Sequence, residues 1–168
     1  MPSPVGHALG GIAAAWPLMP REARSGDAVR AAGVAAALAV APDLDLLAHI
    51  HRGATHSLGA AFIAGLAAVL ITRNLRWGAA AAAAWTSHVL LDWLGTDTRP
   101  PAGVMAFWPF SHEFFESTVH LFPAVSRRYW LSEFWIYNVK ALAVELCILV
   151  PLTWLAIAWS RRGTPREL

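Results

Sequence analysis

The chain has 168 residues, 57% of them hydrophobic and 14% charged, with a net charge of +2 and a mean hydropathy of +0.46. That length fits one domain, and the apolar share lies well above that of a soluble globular chain. So small a charge surplus, with no basic stripe carrying interleaved aromatics, argues against a nucleic-acid partner. The single cysteine, Cys147, excludes an internal disulfide and a zinc–thiolate centre.

His7 lies in the first apolar segment, which closes at Trp16-Pro17-Leu18-Met19-Pro20, where two prolines stop a helix. The N-terminus lacks the positive region of a signal peptide, so the segment reads as a retained helix. Residues Arg21 to Arg30 read as a polar loop. The next helix, over 28–47, is rich in Ala, Val and Leu and is interrupted by Pro42, which frees a carbonyl and kinks it.

The stretch Pro42–Ser57 then concentrates Asp43, Asp45, His49, His51, Arg52 and His56 between two apolar segments. Thr55 or Ser57 can cap the helix that follows, over 56–72. A fourth helix, over 77–94, contains the run Ala79–Ala84, whose small side chains let helices approach closely in lipid. It carries His88 and Asp92 near its far end.

Gly95–Pro101 breaks the pattern, and Gly103–Phe122 is dense in aromatics. There His112, Glu116 and His120 fall at i, i+4 and i+8, which predicts one polar face of a short interfacial helix. A further metal site is the alternative. The last helix, over 134–159, carries Lys140 near its end and Glu145 at its middle. Glu145 is expected to face the bundle interior, bonding a neighbour or supporting the site.

A helix needs about 20 residues to cross a ~30 Å hydrocarbon core. The fold expected is therefore an all-α, multi-pass membrane bundle of about five helices, 5–18, 28–47, 56–72, 77–94 and 134–159, as one domain. A buried, Ala-rich soluble bundle is the alternative. If all five cross, Arg21, Arg24, Arg30, Arg73, Arg76, Arg161, Arg162 and Arg166 share one side, and Arg52, Arg99, Arg127 and Arg128 the other. The positive-inside rule makes the first side cytoplasmic. His7, the Pro42–Ser57 stretch and the His88/Asp92 end then meet on the non-cytoplasmic side.

His88-Val-Leu-Leu-Asp92 puts an imidazole and a carboxylate one turn apart on one helix face. In an apolar segment such groups are costly and usually functional. His7, Asp43, Asp45, His51, His56, His88 and Asp92 form the candidate ligand set of a site between helices. Seven candidates exceed what one tetrahedral ion needs, so either two ions share the site or some residues support the others. Oxygen and nitrogen donors without thiolate suit Zn, Mn or Fe, and Zn is favoured. Asp45 and Arg52 are the candidates for catalytic roles. Arg52 can clamp a substrate phosphate, or it forms a salt bridge to Asp43 or Asp45. His49 reads as a structural histidine.

An N-terminal His, Pro42-Asp43-Leu44-Asp45, His51-Arg52-Gly53-Ala54-Thr55-His56-Ser57, His88-x-x-x-Asp92 and Trp108-Pro109-Phe110-Ser111 together resemble the YdjM-type inner-membrane metal-dependent hydrolases. The order of ligands is also similar to that of the zinc phospholipase C group, which implies His7, Asp43, His56, His88 and Asp92 as ligands of a phosphoester-cleaving multi-zinc site. The first resemblance implies a helical hydrolase in the cell (inner) membrane. The site in its membrane setting then leads to the hypothesis that water activated by one or two divalent ions attacks a phosphoester or other ester of a lipid-like substrate, with Arg52 holding the charged group. Two rival readings are a metal or proton transporter using the same cluster and a non-catalytic membrane protein stapled by a structural metal.

Overall fold

The computed structural model describes residues 1–48, 52–97, 100–126 and 128–162. Its elements are α1 (Pro4–Ala15), α2 (Arg21–Gly26), α3 (Ala28–Val40), a 3-10 stretch (Ala41–Ala48), α4 (Leu58–Thr72), α5 (Leu75–Trp93) and α6 (Phe134–Arg162). The all-α expectation holds among the described residues. The polar loop expected after Pro20 contains the short α2. The helix expected over 28–47 ends at Val40 and tightens into the 3-10 stretch, because Pro42 cannot donate to the turn before it.

Local chemistry sets each boundary. Ser3 caps α1, its side chain accepting from Gly6 N at 3.1 Å, and Pro4 supplies the fixed first φ. Asp27 caps α3 by accepting from Arg30 N at 2.8 Å. Ser57, not Thr55, caps α4, accepting from Ala60 N at 3.0 Å. Arg73, in the left-handed region at φ 54°, ends α4, and Asn74 at once caps α5. That two-residue link folds α4 and α5 into an antiparallel hairpin.

Two helices form the centre. α1 packs against α3, α5 and α6, while α5 packs against α1, α3 and α4. Successive long helices alternate in direction, so the start of α1 and the ends of α3 and α5 share one end of the bundle. The core between them is built from Ala15, Ala31, Ala35, Ala39, Ala80 and Ala84, with Trp16 and Met19 closing the far end. Small side chains bring backbones together: a Cβ on Gly11 would overlap Ala39, and one on Gly78 would overlap Val69 and sit 3.0 Å from Gly65 O.

Glu145 of α6 is fully buried and faces inward, as expected. Its carboxylate accepts from Ser3 N at 2.7 Å and from Ser3 Oγ, so it also sits at the positive end of the α1 dipole. Thr153 Oγ1 donates to Leu9 O at 3.0 Å further along. These two polar ties hold α6 to α1.

The membrane signature is concentrated in α6. It has 29 residues, and its most apolar 18-residue window has a mean hydropathy of 2.2 with only 22% of it buried. Among the described residues it is the one helix long and apolar enough to cross a bilayer. α1, α3 and α4 are 12, 13 and 15 residues long, about 18–22 Å, short of a ~30 Å crossing.

The segment Gly103–Phe122 is not a helix. It runs as an irregular hairpin, with Val104 bridging Phe115 antiparallel and Phe122 bridging Gly95. His112, Glu116 and His120 therefore share no helix face, although His120 Nε2 stays 3.3 Å from Glu116 Oε1 at the surface. Pro109 and the aromatic density oppose helix there, and the i, i+4, i+8 spacing is coincidental.

Gly78→Ile should destabilise the fold by about 1–3 kcal/mol by prising α4 from α5. Gly33→Ala, whose added Cβ meets nothing within 4 Å, should be neutral or stabilising. Thermal unfolding of the detergent-purified variants checks both. Equal melting temperatures for the two would refute the close-approach role of Gly78.

Candidate metal centre

Four pieces of chain meet at one end of the bundle. His7 comes from the first turns of α1, Asp43 from the 3-10 stretch, His56 from the loop just before the Ser57 cap, and His88 and Asp92 from the last turns of α5. His7, His56 and His88 are fully buried and Asp92 is 4% exposed. Among these, Asp43 alone keeps appreciable contact with the surface.

The facing atoms lie close together. Asp92 Oδ1 is 3.2 Å from His7 Nε2, and Asp92 Oδ2 is 3.2 Å from His88 Nε2 and 3.4 Å from His56 Nε2. Asp43 Oδ1 lies 3.6 Å from His56 Nε2 and 3.8 Å from His88 Nε2. His7 stacks on His88 with ring centroids 3.9 Å apart, and His56 meets His88 edge-on. Two overlapping sets, His7/His88/Asp92 and Asp43/His56/His88, each offer ligand atoms within 4.8 Å of one another.

Polar atoms on the facing side are left without hydrogen-bond donors or acceptors. Both Asp92 oxygens, Asp43 Oδ1, His88 Nε2 and both His7 nitrogens are buried in this condition. Each such group costs about 1–3 kcal/mol, more where it is charged. The residues therefore fit a divalent cation, which would satisfy the atoms that face one another, His7 Nε2 among them, though not His7 Nδ1 on the far side of its ring.

The far sides of the His88 and His56 rings are, by contrast, well held. His88 Nδ1 lies 2.7 Å from Ala39 O, so it donates there and turns Nε2 towards the cluster as an acceptor. Ala39 O is the carbonyl three residues before Pro42, whose missing N–H leaves it available. His56 Nδ1 is 3.2 Å from Asp45 Oδ2, which also accepts from Thr55 Oγ1 at 2.7 Å. That carboxylate–imidazole pairing fixes the tautomer and presents Nε2 to the site, as metal-binding histidines require. At His56 burial works against the charged ring, but Asp43, Asp45 and Asp92 outweigh it and raise its pKa to about 9. A cation arriving at neutral pH must therefore displace a proton from His56.

The sequence candidates sort accordingly. His7, Asp43, His56, His88 and Asp92 converge. Asp45 lies behind His56 and orients it, rather than facing the ion with the others. His51, with His49, falls outside the described residues. Arg52 is buried at φ 65° and forms an ion pair with Asp97 Oδ2, the same oxygen accepting from Gly103 N at 3.1 Å. The alternative salt bridge foreseen for Arg52, to Asp43 or Asp45, is thus made instead to Asp97, a residue that carried no sequence signal of its own. Through it Arg52 ties the His56 loop to the hairpin, where Met105 N also reaches Arg52 O at 3.3 Å and Leu58 N reaches Ala106 O at 2.9 Å.

A helical protein with a buried histidine–aspartate centre at one end is the class this arrangement defines. The model of the YdjM inner membrane protein family matches residues 1–164, and the chain belongs to that family. It is accordingly an inner-membrane-family protein in a lipid bilayer setting. No curated protein and no solved structure matches the chain, and the likeness to the zinc phospholipase C group finds no support.

Asp92→Ala and His88→Ala should each abolish stoichiometric metal in the purified protein, measured by elemental analysis. Asp45→Asn should leave binding detectable but weaken it about 10–100-fold, the usual effect of losing the partner of a ligand histidine. Undiminished metal in Asp92→Ala would place the ion elsewhere.

Proposed function

We propose that the protein is a membrane-bound, metal-dependent hydrolase acting on a phosphoester or other ester of a lipid-like substrate. The observation that carries the reading is the overlap of two ligand sets on His88. More donors converge than a structural ion needs, which is what a site reserving room for water or a second ion requires. A bound divalent ion, Zn favoured by the nitrogen and oxygen donors with Mn or Fe as alternatives, would supply Lewis acidity and activate water.

The chain's own residues define the rest. His7, Asp43, His56, His88 and Asp92 would hold the ion, and Asp45 and the Ala39 carbonyl fix two imidazoles. Asp43 marks the open side, its side chain 19% exposed. Leu44 and Leu47 beside it are 63% and 81% exposed, an apolar approach that suits a lipid chain better than a water-soluble substrate. Arg52, already bound to Asp97, serves the substrate only by holding the loop that carries His56.

In this reading the other long helices share the bilayer with α6. Outward-facing Phe62, Ile63, Leu66, Leu70 and Ile71 give α4 a lipid-facing side, and the shorter α1 and α3 complete the interior without crossing alone. The arginine-rich end is cytoplasmic and the metal end faces the other side. Against a transport path, Glu145, the acidic group that could extend one, is engaged by Ser3.

Metal-loaded protein in detergent should hydrolyse generic phosphodiester or carboxylester substrates, and chelation or Asp92→Ala should reduce the rate by at least about a hundredfold. If instead it turns over no ester but carries metal ions across liposome membranes, transport replaces hydrolysis as its function.

A further inference from the structure

The bundle's opposite end holds a second polar feature that the metal centre does not use. Pro17 and Leu18 after α1, Arg21 and Arg24 of α2, Leu75 and Arg76 at the start of α5, and Trp159 near the end of α6 surround an open cavity of about 540 Å³. From Arg76 to His88 is twelve residues of α5, about 18 Å, so the cavity and the metal centre are separate sites.

Its chemistry is that of an anion site at a membrane surface. The Arg24 Nε is buried without a hydrogen-bond partner. Arg24 is pushed below its ordinary range by burial and by the neighbouring Arg21 and Arg76, with Glu22 offsetting this only in part. Three guanidinium groups crowded together repel one another unless an anion lies between them, and planar guanidinium forks match phosphate oxygens. The remaining wall is apolar and outward-facing: Leu75 is 79% and Trp159 80% exposed. Trp159 lies in the last turns of the helix long enough to cross the bilayer, where tryptophans mark the headgroup level.

We propose that this cavity binds the phosphate of an anionic phospholipid, Arg21, Arg24 and Arg76 taking the headgroup while the acyl chains lie along Leu75 and Trp159. A free phosphate would have no use for the apolar wall. The site would seat the bundle at a fixed depth and rotation against the arginine-side leaflet.

The test is native mass spectrometry of the full chain extracted from nanodiscs of phosphatidylcholine alone or mixed equally with phosphatidylglycerol. Wild-type protein should retain phosphatidylglycerol in preference to phosphatidylcholine. Arg24→Gln and Arg76→Gln should each weaken that retention about fivefold. Ala79→Phe, which fills part of the cavity from an exposed position and keeps every charge, should weaken it similarly. Metal content at the far end, unchanged in all three, reports that they are folded. Equal retention of both lipids, or no effect of the three variants, would overturn the proposal. Displacement of phosphatidylglycerol by millimolar inorganic phosphate would overturn it too, in favour of a soluble anion.

Discussion

Two carboxylates and three imidazoles are held within a few ångströms of one another in an apolar bundle, and of the five Asp43 is the most exposed, at 19% of its side chain. Everything else in the fold follows from making that tolerable. Isolated, a buried carboxylate such as Asp92 would take up a proton or unfold its surroundings. Surrounded by three ring nitrogens turned towards it, it becomes half of a cation site. The imidazoles can face it only because their other nitrogens or their helices are fixed from behind, by Ala39 O for His88, by Asp45 for His56 and by the packing of α1 for His7.

Small residues make this convergence possible. His7 and His88 stack at 3.9 Å, which requires α1 and α5 to pack closely side by side. Bulky side chains at Gly10 or Gly11 would meet Leu91 or Ala39 and drive the helices apart. In the proposed multi-pass arrangement no hydrophobic force would bring such helices together, and close packing with the few interhelical hydrogen bonds would carry the association. The bonds from Ser3 to Glu145 and from Thr153 to Leu9 are of that kind. The same Glu145 that secures α6 also anchors the start of α1, one turn before His7. The stability of the bundle and the placement of a ligand are therefore coupled.

Much of the site was legible in the sequence, because its signals are local. His88 and Asp92 are one helical turn apart in a segment otherwise almost free of charge, and Pro42 announces both the end of a helix and a freed carbonyl. What the sequence hid depends on residues brought together from afar. Nothing near Arg52 points to Asp97, and nothing in Asp43-Leu-Asp45 says which aspartate faces the ion and which stands behind His56. Those answers come from the chain turning through the 3-10 stretch. The Gly103–Phe122 segment misled in the opposite way. Helical spacing of His112, Glu116 and His120 is a weak signal once Pro109 and a dense run of aromatics oppose the helix. The helices expected over 5–18, 28–47 and 56–72 are shorter than hydropathy suggested, because apolar residues that line an interior core or a 3-10 stretch score like residues of a longer helix, while those over 77–94 and 134–159 are slightly longer.

The two ends of the bundle pose opposite electrostatic problems, and this bears on what the metal centre is for. At the arginine end like charges crowd a cavity open to the surface, and an anion such as a headgroup would relieve them. At the histidine–aspartate end charge is buried in surplus, which a merely structural ion does not explain. Four ligands on two helices would staple a bundle. Here two sets share His88, and Asp43 keeps a partly exposed side chain next to the exposed Leu44. A ligand at the rim of its own site is a poor staple, because water competes for it. In the proposed hydrolase it would be placed to loosen and re-form its bond to the ion as substrate binds, an asymmetry that a purely structural ion would not use.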